Sequence, residues 1–135
     1  MNNIDLINMI GQIDGRLKRV VARMIILFPD FFFGRVDLTF YTIDRNNFPG
    51  SPVGLNWEMD IKDKDREEYF VFEFTNESDL WFLNGYVSKH KDLELIATFV
   101  EIEEKRILDI LPKIEESLNE FEQSCLAYLE SNYRK

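Results

Sequence analysis

A chain of 135 residues, 45% hydrophobic and 30% charged, has the size and composition of one globular domain, and we read residues 1–135 as such. Its 25 acidic and 16 basic groups give a formal net charge of -9, which repels phosphate backbones and anionic lipid surfaces. Direct nucleic-acid or membrane binding is therefore not expected, and a basic protein partner is.

The first element is an amphipathic helix over residues 4–28. Ile4, Ile7, Ile10, Ile13, Leu17, Val20, Met24 and Leu27 or Phe28 recur at helical spacing. Pro29 disfavours helical geometry at Phe28 and ends it. Gly11 and Gly15 share a face, and close backbone packing there would offset the helix stability they cost. Residues 31–43 then switch to a period of two, with Val36, Leu38 and Phe40 on one side. Asp44 to Pro52 reads as a loop, and Leu55, Trp57, Met59 and Ile61 mark a second strand. Charged residues 62–68 read as a turn. A third strand places Phe70, Phe72 and Phe74 on one face and Tyr69, Val71 and Glu73 on the other.

Ser78 reads as the cap of a short helix, Asp79 to Asn84, closed by Gly85. Residues 93–102 fit either a fourth strand or the start of the last helix, with β-branched and aromatic content favouring the strand. The final stripe, Ile107, Ile110, Ile114, Leu118, Phe121, Cys125 and Leu129, is helical. Pro112 either sits in the first turn of a helix capped by Asp109 or kinks a longer one. The expected class is α+β: a small antiparallel sheet of three to four strands, covered on one face by a long N-terminal and a long C-terminal helix.

Catalytic and metal-binding patterns are missing. There is no Gly-x-Ser-x-Gly elbow and no phosphate loop, and the single Cys125 lies on an apolar stripe, where cysteine acts as a small hydrophobe. His90, between Lys89 and Lys91, has no ligand partner at zinc spacing. The run Asp63-Lys64-Asp65-Arg66-Glu67 lacks the glycine and the terminal acid of a calcium loop. No cofactor, no metal and no enzymatic activity are expected. One cysteine permits no internal disulfide, and the start Met1-Asn2-Asn3-Ile4-Asp5 is not that of a signal peptide, so the expected compartment is the cytoplasm.

Charge is the remaining signal. Arg16, Arg19 and Arg23 form a basic ridge on the first helix, for which pairing with the acidic last helix is the favoured role. Glu101, Glu103, Glu104, Glu115, Glu116, Glu120 and Glu122 make residues 101–122 strongly acidic. In these bulk properties the chain resembles two groups of small acidic bacterial proteins. One is the immunity proteins that neutralise nuclease and other toxins; the other is the type III secretion chaperones, whose likeness implies a homodimer.

The first resemblance implies a non-enzymatic protein–protein inhibitor of a basic partner such as a nuclease toxin. Acidic patches would speed the encounter and aromatic anchors would hold it. The contact candidates are then Asp60, Asp63, Asp65 and Glu67 in the acid-rich turn and Glu115, Glu116 and Glu120 on the last helix, with Trp57 and Trp81 as anchors. The competing class is a small-ligand binder or enzyme with a Phe- and Tyr-lined pocket between sheet and helices.

Overall fold

The computed structural model describes residues 3–28, 37–43, 53–63, 66–89 and 94–133. The expected strand segment 31–36, the loop 44–52 and His90 lie outside them.

Helix α1 (Asn3–Leu27) forms where the sequence pattern places it, and its stripe of Ile13, Leu17, Val20 and Met24 is buried. The Phe28 amide closes it by donating to the Met24 carbonyl at 2.9 Å. Gly11 and Gly15 are exposed, and a Cβ added at either would meet nothing within 4 Å. Close packing that could offset their cost is not found among the described residues, and each weakens the helix by roughly 1 kcal/mol relative to Ala. Leu27, assigned to the apolar stripe, is 46% exposed beside Ile25 and Ile26.

Five strands follow: β1 (Asp37–Ile43), β2 (Val53–Asp63), β3 (Arg66–Glu77), β4 (Leu80–Lys89) and β5 (Glu94–Glu104). They form one antiparallel meander in the order β1-β2-β3-β4-β5, so the expected small sheet is present and β4 extends it. Residues 62–68 are not a turn. Ile61 pairs with Glu68, Lys62 with Glu67 and Asp63 with Arg66, which leaves only positions 64 and 65 between the strands. Alternating charge suits a strand with one polar face as well as it suits a loop.

Strand β4 replaces the short helix expected from Ser78 and Gly85. Glu77 pairs with Leu80, so Ser78 and Asp79 are the whole connection, with φ of 53° and 65°. A two-residue turn with both residues left-handed matches the twist of the strands it joins. The side chain of Asn76 donates to the Leu80 carbonyl at 3.1 Å across its base. Gly85 is no helix stop. A Cβ on it would lie 2.7 Å from Phe121 Cδ1, so glycine is what lets that ring touch the sheet.

A short helix α2 (Ile107–Ile110), a 3-10 turn (Leu111–Lys113) and helix α3 (Ile114–Tyr133) complete the chain. Pro112 sits in the 3-10 turn and separates the two helices. Asp109 caps neither; its carboxylate takes the Arg106 guanidinium, which holds it below the usual carboxylate range. The core lies between α3 and one face of the sheet. Phe121 packs on Phe72 (5.3 Å between ring centroids) and Phe99 (6.2 Å), and Tyr128 meets Phe70 edge-on at 5.7 Å. The Tyr128 hydroxyl donates to buried Glu68 at 2.9 Å.

Two of the three ridge arginines pair with α3, as the charge pattern favoured. Arg16 binds Glu115 and donates to Asn119 at 2.5 Å, and Arg23 Nη1 lies 3.3 Å from Glu122 Oε1. These pairs set α1 against α3. One further bond, from Trp57 Nε1 to Asp14 Oδ1 at 3.3 Å, reaches α1 from the sheet.

Candidate functional site

The sheet face turned away from α3 is polar. Strand registers place three rows of residues across it: Asn56, Glu73, Asn84 and Glu101; Glu58, Val71, Tyr86 and Thr98; and Tyr69, Ser88 and Leu95. Each row follows from the alternation of side chains along a strand, except in β5. There Glu101, Thr98 and Leu95 are three apart, and residues three apart in a regular strand point to opposite sides. Two register shifts against β4 skip Phe99 and Ile96, and each extra residue returns the next one to the same face. Phe99 is thereby released to the core, where it packs against Phe70 at 6.3 Å.

The result is a concavity of about 390 Å³ on this face. Val71 and Ser88 are buried at its floor with Glu58, which is only 5% exposed, while Glu94, Leu95, Thr98 and Glu101 stand exposed at its rim. Tyr69 and Tyr86 line it, and their hydroxyls are tied down. Tyr69 donates to Glu67 at 2.6 Å and Tyr86 to Glu73 at 2.8 Å, the second bond running diagonally between β4 and β3. The lining holds three carboxylates, Glu58, Glu94 and Glu101, and no lysine or arginine. Carboxylates beside fixed aromatic faces attract a cation and repel an anion.

The contact candidates fall in several places. Trp57 is corrected: it is 1% exposed on the core face, 6.3 Å from the Phe72 ring, and is no surface anchor. Its position on β2 alternates with Glu58, so burying one turned the other to the open face. Trp81 is half-buried, with its ring tilted against Phe74 at 5.5 Å between centroids. Glu67 is on the open face as the acceptor of Tyr69. Asp60 and Asp63 belong to β2, at register positions opposite Tyr69 and Arg66, and Asp65 lies outside the described residues. Glu116 and Glu120 are exposed on α3. Glu115 is engaged by Arg16, and Glu122 is buried.

The pocket weighed between sheet and helices is not where the concavity lies, because phenylalanine rings fill that space. Glu58, Tyr69, Tyr86, Ser88 and Glu94 were absent from the contact candidates; the alternation on β2 and β3 pointed to the first two, Tyr86 and Ser88 come with the unexpected strand β4, and nothing local marked the bulges of β5, where Glu94 lies. Cys125 is fully buried on α3, and burial first, then Glu122, pushes its thiol well above the usual range. Among the described residues no helix is long and apolar enough to cross a membrane, and no three His, Cys, Asp or Glu side chains group as metal ligands. No protein-family model, curated protein or solved structure matches the chain.

Proposed function

We propose that this chain is a non-enzymatic protein that binds and inhibits a basic protein partner, in the manner of a cytoplasmic toxin immunity protein, and that it does so through the open face of its sheet. In this reading α1 and α3 together cover the other face, with the Trp57–Asp14 bond as the tie between α1 and the sheet. The observation that carries the reading is the charge of the open face. Glu58, Glu67, Glu73, Glu94 and Glu101 share it; Lys62 takes the register position opposite Glu67, and the lining of the concavity itself holds no lysine or arginine. A one-signed concave surface focuses its field and raises the rate at which an oppositely charged protein arrives. The acids of α3 are a weaker candidate, because Glu115 and Glu122 are already neutralised by α1.

The test is a comparison of two charge reversals in association kinetics with the partner recovered from the native cell. One variant changes the exposed β5 acids, Glu94→Lys, Glu101→Lys and Glu103→Lys; the other changes Glu116→Lys and Glu120→Lys on α3. Glu115 is left alone because its reversal would set two cations together at Arg16. The β5 variant is expected to lose roughly tenfold in on-rate, and the parent's rate should fall as salt screens the approach. An acidic partner, or an on-rate indifferent to salt and to the β5 reversals, refutes the reading. The alternative of a small-ligand protein is favoured by one observation, the concavity itself, whose volume is within the range of ligand pockets, about 300–1,000 Å³.

A further inference from the structure

The concavity has features that a solvated acidic patch does not need. Glu58 is a carboxylate on a residue 5% exposed, set at the floor of a hollow rather than on a ridge. Ser88, 6% exposed, also lines the hollow, and its hydroxyl is engaged by no other described side chain. A hydroxyl that opens into a hollow takes its hydrogen-bond partner from water or a ligand. The Tyr69 and Tyr86 rings are held by their bonds to Glu67 and Glu73, so they are preorganised rather than free to swing out. The charge of the lining is entirely negative.

We propose that this hollow receives an arginine side chain presented by the basic partner, with the guanidinium in contact with the Glu58 carboxylate and the rings of Tyr69 and Tyr86. The proposal rests on the reading of the open face as the partner surface and names what is recognised there. Arginine fits better than lysine on three counts. Its plane stacks on aromatic faces, its fork of donors matches a carboxylate with two parallel bonds, and it is the more weakly hydrated of the two cations. The remaining guanidinium donors need an acceptor, and the Ser88 hydroxyl supplies one. Glu94 and Glu101 at the rim stand where an approaching cation passes. A desolvated cation against an aromatic face and a paired carboxylate is the type of contact that dominates protein interfaces.

The experiment uses the full chain and a small probe, N-acetyl-arginine methylamide, with the neutral citrulline analogue of the same shape as its control. Ring signals of Tyr69 and Tyr86 are followed by carbon-13 NMR. The arginine probe should shift both signals saturably, with a Kd on the order of 1 mM, and citrulline should bind at least tenfold more weakly. Glu58→Gln should also weaken the arginine probe about tenfold, and Glu116→Gln should leave it unchanged. If Glu58→Gln fails to fold, the comparison of arginine with citrulline on the parent protein still decides. Equal binding of the two probes, or no saturable shift of either ring up to about 50 mM arginine probe, overturns the proposal. The two readings fail separately. If arginine binds and the partner ignores the β5 reversals, the partner surface is elsewhere. If the partner responds and arginine is silent, the face is right and its occupant is wrong.

Discussion

Gly85→Ala adds one methyl group at the point where α3 touches the sheet. The new Cβ would lie 2.7 Å from Phe121 Cδ1, 3.3 Å from Cε1 and 3.4 Å from the Val100 Cβ. Phe121 has little freedom to retreat, since its ring is fully buried between Phe72 and Phe99. Overpacking of a filled core costs about 1–3 kcal/mol. Removing a glycine from the unfolded chain returns about 0.4–1 kcal/mol, so the net loss should be about 1–2 kcal/mol. That corresponds to a fall in Tm of roughly 5 °C for a domain of this size. Urea titration followed by the fluorescence of buried Trp57 gives the same quantity independently. The clash also predicts a coupling. In a Phe121→Leu background, itself less stable, the cost of Gly85→Ala should drop by about 1 kcal/mol as the ring edge disappears. A Gly85→Ala protein as stable as the parent, or an unchanged cost in the leucine background, would show that the ring does not rest on this glycine.

Phe72→Ala should cost about 3–5 kcal/mol by denaturant titration, because the ring is fully buried between Trp57 and Phe121; a loss under about 1 kcal/mol contradicts that packing. Asp79→Val should cost about 1–2 kcal/mol in the same assay, since a β-branched residue resists the φ of 65° that the β3–β4 turn requires, and no change would mean a different connection. Cys125, buried and with its thiol held neutral, should react with a thiol reagent only as fast as the chain opens, at a rate that urea accelerates; immediate stoichiometric labelling would place it at the surface.

The elements whose pattern runs over many residues were legible in the sequence. Helix α1, strands β2 and β3, and α3 each repeat their period often enough to be recognised, and Phe70, Phe72 and Phe74 are buried on the face their alternation assigns. Strand β4 was hidden by two residues that carry double meanings. Serine before an acidic residue caps helices and also enters hairpin turns, and Gly85 resembles a helix stop when its actual reason, the Phe121 ring, comes from 36 positions along the chain. The site was hidden by the same long-range logic. The grouping of Leu95, Thr98 and Glu101 exists only because β5 bulges twice against β4, and neither bulge has a local mark in Glu94–Glu104. Trp57 was misassigned because a large amphipathic ring suits a core and an interface equally. Only the pairing of β2 with β3 decides between them.

The claim that the open face is the partner surface is tested most directly by carboxylate footprinting of the complex. Exposed acids are coupled to a neutral amine with and without the partner, and the labelled positions are read by mass spectrometry. The account predicts that Glu94 and Glu101, at the rim of the concavity, lose most of their labelling when the partner is bound, while Glu116 and Glu120 on α3 are labelled as in the free protein. Protection of Glu116 and Glu120 with Glu94 and Glu101 unchanged would contradict it, and would move the binding surface to the last helix.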